Sequence, residues 1–397
     1  MIQLEEAQAR LLALATPLPP EHASLEDATG LYLAQDLFAC RTQPAADLSA
    51  MDGYAVAAGD MAGPWQVVGE SAAGHPFAGT ITAGRATRIS TGALVPQGAG
   101  AVICQEDISR DGDTIHLSGT APHPAGRHIR RAGFDFAQGA PLLTAGTRIG
   151  PAQLALAIAG GHSHLPVRRA ARIAIIDSGD ELAMPGAPCA HHQIPASNGA
   201  MLAAMLAPMP CRITRHGPVP DLLDKLAGAL QACDQADIIV TSGGASVGDH
   251  DLLRPALESW GAQIDFWKVA IRPGKPLLIA RRGAQIIVGL PGNPVSSMVT
   301  AHLFLLPLIR AMLGAARPLP MRVRAPLADA TAGAGTRREF QRGLWDGARV
   351  FPNPMRDSSA LAAMAASNCL IDRPIGSDIA AAGDLVDILL TDPSGLG

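Results

Sequence analysis

Between about residue 171 and residue 315 the apolar positions change period repeatedly. Continuous apolar, β-branched runs ("RIAIID", "CRITRHG", "DIIVTSGG", "QIDFWKVAI", "PLLIA", "QIIVGL") alternate with stretches that are apolar at helical spacing ("SNGAMLAAMLA", "DLLDKLAGALQAC", "DLLRPALESW", "NPVSSMVTAHLFLLPLIRAML"). This alternation predicts a three-layer α/β domain over 171–316, with a mostly parallel sheet and a ligand site outside the carboxyl ends of its strands. From 46 to 135 the pattern is one of short strands between turn residues ("WQVVG", "ATRIST", "AVICQEDI", "DTIHLSG"), a β-rich unit. A helix precedes it ("MIQLEEAQARLLALA"), and another follows it ("GPAQLALAIAGG", with Pro151 near its first position). The expected layout is therefore a split helical and mixed domain, 1–45 with 136–170, into which the β-rich domain 46–135 is inserted. After "GAARPLP" the runs "MRVRAPLA", "REFQRGLW", "ARVFPNP" and "DLVDILL" predict a small C-terminal β barrel or sandwich over 317–397.

Composition narrows this multidomain α/β picture. A chain of 397 residues, 48% hydrophobic and 17% charged, has ample apolar material for several cores. No apolar run is read as reaching the roughly 18 residues of a membrane span, and the acidic, amphipathic N-terminus reads as a mature helix rather than a signal peptide. The expected compartment is the cytoplasm, with no membrane partner. The net charge of -4 argues against nucleic acid as a partner. Six dispersed cysteines without a C-x-x-C pair suggest neither a disulfide framework nor structural zinc. Of 31 basic residues only three are lysine, and two of these, Lys268 and Lys275, sit in "WKVAIRPGKP". Compact ammonium groups kept at that place suit a point-charge contact to an oxyanion.

Four loops of the α/β domain follow or precede strands: "IDSGDEL", "TSGGASVGDHD", "IRPGKPL" and "GLPGNPVS". Glycine lets backbone N–H groups approach a ligand, and a following helix N-terminus adds positive potential. Taken singly, each reads as an ordinary glycine turn, and none matches a nucleotide-loop fingerprint. Together they should converge on one edge of the sheet and supply Glu181, Asp249, Asp251, Ser242, Ser246, Lys275 and Ser296. Carboxylates beside an anion-binding site make sense when a divalent cation bridges the two.

In that order and spacing, "SGDEL", "SGGASVGDHD", "RPGKP" and "GLPGNPVS" resemble the molybdopterin molybdenumtransferase family (MoeA and the gephyrin E domain). "SAMDGYAV", "ISTGALVPQGAGAVICQE" and "RRAGFD" upstream, with "RREFQRG" and "SSALAAMAASN" downstream, extend the likeness over essentially the whole chain. The resemblance implies a homodimer of four-domain chains, and a cleft between the α/β domain of one subunit and the inserted domain of the other. It implies a magnesium-dependent reaction in which molybdate is inserted into adenylylated molybdopterin and AMP leaves. Molybdopterin adenylyltransferase and molybdoenzyme maturation proteins are the further partners it suggests.

Carried over by motif, the catalytic residues would be Asp52, Glu181, Asp251, Lys268 and Lys275, with Asp52, Glu181 and Asp251 holding the metal. Thr91, Asp135, Ser178, Gly243, Gly244, Ser246, Arg272, Pro291, Pro294, Arg337 or Arg342, and Ser358 would bind substrate. Structural readings stand beside these: Asp52 as a turn residue, Asp135 with Arg130 as a surface ion pair, and Thr91 and Ser358 as caps. The chain departs from the family's usual pattern at Ser178, Arg272 and "VPDLL", where Pro220 leaves Asp221 as the remaining acid, expected at most to cap a helix. Two other functions share parts of this pattern: an adenylyltransferase-like enzyme, disfavoured by the domains bearing Asp52, Thr91 and Asp135, and a molybdopterin-binding scaffold without turnover.

Overall fold

The structure, a computed structural model, describes residues 1–243 and 252–391. The chain forms two compact units: residues 1–34, 145–149 and 166–397 make one, and 35–144 with 150–165 make the other. Helix α1 (Leu4–Leu12) belongs to the first unit, and its buried residues Leu4, Ala7 and Leu11 recur at helical spacing.

The second unit is built on a six-stranded sheet, as its β-rich pattern predicts. Its strands are β1 (Gly53–Val56), β2 (Trp65–Ser71), β3 (Arg85–Ile89), β4 (Ala101–Cys104), β5 (Ile108–Asp111) and β6 (Thr114–Leu117), in the order β4-β1-β3-β2-β6-β5. Helix α2 (Pro151–Ala159) starts with proline at its first turn, where the missing N–H costs nothing. β1 carries Gly53 because an added Cβ would lie 1.9 Å from the Ile103 carbonyl oxygen on neighbouring β4.

The first unit holds the α/β domain. Strands β7 (Ala171–Ser178), β8 (Cys211–Val219), β9 (Ile238–Ser242), β10 (Gln263–Lys268), β11 (Pro276–Arg282) and β12 (Gln285–Leu290) lie in the order β8-β7-β9-β12-β11-β10. β7 is parallel to β8 and β9, and β9 to β12, while β11 is antiparallel to both its neighbours. β11 alone therefore opposes the common direction. Alternation along β7 shows how the layers form. Ile173 and Ile175 face a core shared with α1, with α3 (Asn198–Leu206) and with the long helix that follows β12. Ala174 and Ile176 face the opposite core, against α4 (Leu223–Ala232) and α5 (Leu253–Ser259).

That long helix, α6, runs Pro294–Met312 with a π segment at Ala301–Leu305. Its 19 residues and mean hydropathy of 1.5 meet the length and composition of a membrane span, contrary to the expectation that no stretch would. With 83% of that stretch buried inside the protein, it is the central core helix of the domain.

The C-terminal β domain comprises β13 (Arg322–Pro326), β14 (Arg338–Trp345), β15 (Val350–Pro352), the short helix α7 (Leu361–Ala365), β16 (Cys369–Arg373) and β17 (Leu385–Leu390). The order β14-β16-β17-β13, with β15 on β14 and a bridge from Leu327 back to Val350, brings the sheet round on itself. β16, "CLIDR", is a strand the pattern reading did not single out. A two-residue strand from the α/β domain, Ile271–Arg272, joins this sheet in parallel with Arg338 and Glu339.

Asp237, at the start of β9, is held by charge. It accepts hydrogen bonds from Arg169 at 2.7 and 2.8 Å, from Arg172 Nη2 at 3.1 Å and from the Arg172 N–H at 2.8 Å. Burial pushes its carboxyl up, but these donors outweigh burial and hold it at about 2. Because that lies below the unfolded value of about 3.9, the contribution to stability is complete above about pH 4 and is lost as the pH falls through about 2. Denaturant unfolding followed against pH should show wild type losing roughly 2 kcal/mol more than Asp237→Asn over that window; parallel curves would contradict this.

Candidate active site

Because β7, β9, β10 and β12 point the same way, the loops at their carboxyl ends meet at one edge of the sheet. After β7 the chain turns at Gly179, with φ +151°, and an added Cβ would lie 2.5 Å from Glu181 Oε2. After β9 it turns at Gly243, with φ +104°, where a Cβ would lie 2.9 Å from the Ser178 carbonyl oxygen. Asn198, at the start of α3, ties the edge together: its Nδ2 donates to Ser242 Oγ at 2.8 Å and to the Gly292 carbonyl at 2.6 Å. A narrow cleft of about 40 Å³ results, lined by Ser178, Glu181, Asn198, Gly243 and Pro294 among others. Pro291 precedes Gly292 in the same turn and is buried.

The cleft is acidic. Asp177, buried at the end of β7, has its carboxyl raised by burial, against the pull of Arg215 and the Gly199 N–H. Asp221 is raised by burial and then by the charges of Asp180 and Glu181, and its N–H donates to Asp180 Oδ1 at 3.0 Å. It is not the cap of α4, a position that Leu222 occupies. Like charges near one another raise the cost of ionising them all, which is the direction seen at Asp221. Among the described residues, no group of three or more His, Cys, Asp or Glu side chains is placed to hold a metal ion. Gly244, Ser246 and Asp251, with Asp249, lie outside the described residues.

A larger cavity, about 320 Å³, lies where the α/β domain meets the C-terminal β domain. One wall is the Arg272–Lys275 loop. This loop fits because Gly274, at φ +97°, has no side chain; a Cβ would lie 2.3 Å from Thr300 Oγ1 on α6. The opposite wall comes from β14 and from the 353–358 segment, and Val295 and Ser296 in the first turn of α6 close one end. Arg272, Lys275 and Arg337 line it without a side-chain partner among the described residues. Arg356 faces buried Glu339 at 3.9 Å. With the positive end of a 19-residue helix beside them, the three unpaired cations suit an anion of more than one charge.

The structure separates the two arginines that the sequence left open. Arg342 is buried, and its guanidinium donates to the carbonyls of Met355 and Asp357, clamping the segment that carries Ser358; burial lowers its pKa. Arg337 lines the cavity with no side-chain partner among the described residues. Ser358 does not cap α7, whose cap position is Ala360. Its Oγ instead accepts from Asn293 Nδ2 at 3.0 Å. Lys268 stands apart from the cavity, lining a shallow depression with Met1, Ile2 and Arg10.

Described by itself, the second unit brings Asp52 and Thr91 together. β1 and β3 pair with Gly53 opposite Ile89, so the residues flanking that pair share one sheet end, where the Thr91 N–H donates to Asp52 Oδ1 at 2.7 Å. Both are exposed. Asp135 is also exposed, its N–H bonded to the Gln43 carbonyl. The neighbouring ion pair joins Arg131 to Asp47 at 2.5 Å, and among the described residues none joins Asp135 to Arg130.

Comparison with known proteins bears on this arrangement in the order of the chain. Residues 2–161 match the MoeA N-terminal region (domain I and II), 174–311 a probable molybdopterin binding domain, and 324–391 the MoeA C-terminal region (domain IV). A molybdopterin molybdenumtransferase of Haemophilus influenzae is 34% identical over 350 residues, covering 87% of this chain and 86% of the relative. The chain belongs to the MoeA family of molybdopterin molybdenumtransferases. Molybdopterin molybdenumtransferase 2 of Mycobacterium tuberculosis is 35% identical, covering 94% of this chain and 96% of its own. A MoeA protein of molybdopterin biosynthesis from Pyrococcus horikoshii superposes with a TM-score of 0.85 at 26% identity, over 98% of this chain and 100% of that one. The enzyme is thus a transferase of molybdenum-cofactor synthesis with molybdopterin as its substrate class, and the multidomain α/β architecture is the family's.

The contrast between the two arginines is measurable. Arg342→Ala should lower the melting temperature by several degrees, as loss of a buried double clamp worth about 2 kcal/mol requires. Arg337→Ala should leave melting within about a degree. Equal shifts in calorimetry would contradict the assignment.

Proposed function

We propose that this chain inserts molybdate into adenylylated molybdopterin, with hydrolysis of the phosphoanhydride and release of AMP. The observation that carries this reading is the pairing of two sites on one edge: an acidic cleft among the strand-end loops, and beside it a cavity with three cations that have no side-chain partner among the described residues. The turn 291–296 belongs to both, since Pro294 lines the cleft and Ser296 the cavity. The cavity suits tetrahedral molybdate, a substrate that offers only acceptors to Arg272, Lys275, Arg337 and Ser358. The strand-end loops around the cleft, which at about 40 Å³ is too small to enclose a pterin, would hold its phosphates from the open side, approached by the backbone at Ser178 and Gly243.

Magnesium would rest on Glu181 and its acidic neighbours, where it would neutralise the phosphates and polarise the bond to be broken. The residues of the chain then have separate tasks. Lys275, as a compact ammonium, stabilises negative charge that develops as the pterin side meets the oxyanion. Asn198 keeps the β9 and β12 loops in register, so that the two substrates meet in a fixed relation. Asp52, oriented within its own unit by the Thr91 N–H, is the further carboxylate that the family resemblance would assign to the reaction.

Purified protein given adenylylated molybdopterin, magnesium and molybdate should release AMP, and Asp52→Asn or Glu181→Gln should slow release by a hundredfold or more, on the order of 3 kcal/mol. AMP release that is absent, or identical without molybdate, would refute the insertion reading.

A further inference from the structure

Asparagine is among the preferred residues at a helix N-cap because its side chain can satisfy a free N–H of the first turn. Asn293 occupies that position on α6, yet its side chain makes no capping bond. Its Nδ2 reaches across to the C-terminal β domain and donates to Ser358 Oγ at 3.0 Å, while the Val295 N–H donates to the Ser358 carbonyl at 3.3 Å. A serine hydroxyl has one proton and two lone pairs. Accepting from Asn293 fills a lone pair and leaves the proton free to point elsewhere. Among the described residues that proton has no acceptor, and Ser358 lines the cavity beside Lys275 and Arg337. An oxyanion takes donors only, so the polarity of this hydroxyl decides whether Ser358 attracts or repels it.

We propose that Asn293 is a positioning residue that fixes the Ser358 hydroxyl as a hydrogen-bond donor to the oxyanion. This rests on the reading that molybdate occupies the cavity. Asn293 then acts only through Ser358. It does not touch the substrate, and its loss should cost affinity without loosening the helix that it begins.

The test is titration calorimetry of molybdate into the full chain, for wild type, Asn293→Ala, Ser358→Ala, the double variant and Arg337→Ala, with melting temperatures alongside. Asn293→Ala and Ser358→Ala should each weaken binding roughly three- to tenfold, with melting unchanged in Asn293→Ala. The double variant should bind no more weakly than Ser358→Ala alone, because the asparagine has nothing to orient once the hydroxyl is gone. Additive losses, or wild-type affinity in either single variant, would overturn the role of Asn293. Absence of saturable binding in wild type, or binding that ignores Arg337→Ala, would overturn the oxyanion reading and this proposal with it.

Discussion

Two residues of backbone pairing hold the site together. Ile271 and Arg272 leave the α/β sheet after β10 and enter the C-terminal sheet beside Arg338 and Glu339, and the Arg338 N–H donates to the Ala270 carbonyl at 2.8 Å. A backbone ladder is hard to slide, because a shift of one residue would turn every side chain to the other face. Arg272 and Lys275 are thereby fixed against the wall that carries Arg337 and Ser358. The ion pairs of Arg338 with Asp372, at 2.6 Å, and with Glu5 secure the same strand from behind. Without this junction the α/β domain would present a cleft but no cavity.

Helix α6 is the second element on which the arrangement turns. Its apolar length makes it the core of the domain, and its first turn closes the cavity while Pro294 borders the cleft. One buried, rigid element therefore sets the distance between the two sites, a better scaffold for paired substrates than two independent loops. Gly274, packed on Thr300 of the same helix, shows how closely the loop of cations is drawn onto it.

The fold was legible in the sequence because periodicity reports which face is buried. β7 and β9 read as continuous apolar runs since both faces are covered, and their shared direction brings four loops to one edge. Ser178, Glu181, Gly243 and Pro294 line the cleft and Arg272, Lys275, Arg337 and Ser358 the cavity, positions to which those loops and the motif resemblance already pointed. What escaped were residues whose role depends on contacts distant in sequence. Asn293 meets Ser358 across 65 positions and Asn198 meets Gly292 across 94, and from sequence each reads as an ordinary helix start. Arg337 and Arg342 look alike in "RREFQRG", and only the carbonyls opposite Arg342 separate a clamp from a ligand. Asp221, read as a helix cap at most, stands among the acids because β8 lies beside β7.

On the proposed reading the oxyanion sits in the cavity between the α/β and C-terminal β domains, and the pterin lies over the strand-end loops. Anomalous scattering from crystals soaked in tungstate, a heavier tetrahedral dianion, tests it most directly. One strong peak is expected within hydrogen-bonding reach of Lys275, Arg337 and Ser358. A peak beside Gly243 and Asn198 instead, or none in the cavity, would contradict it.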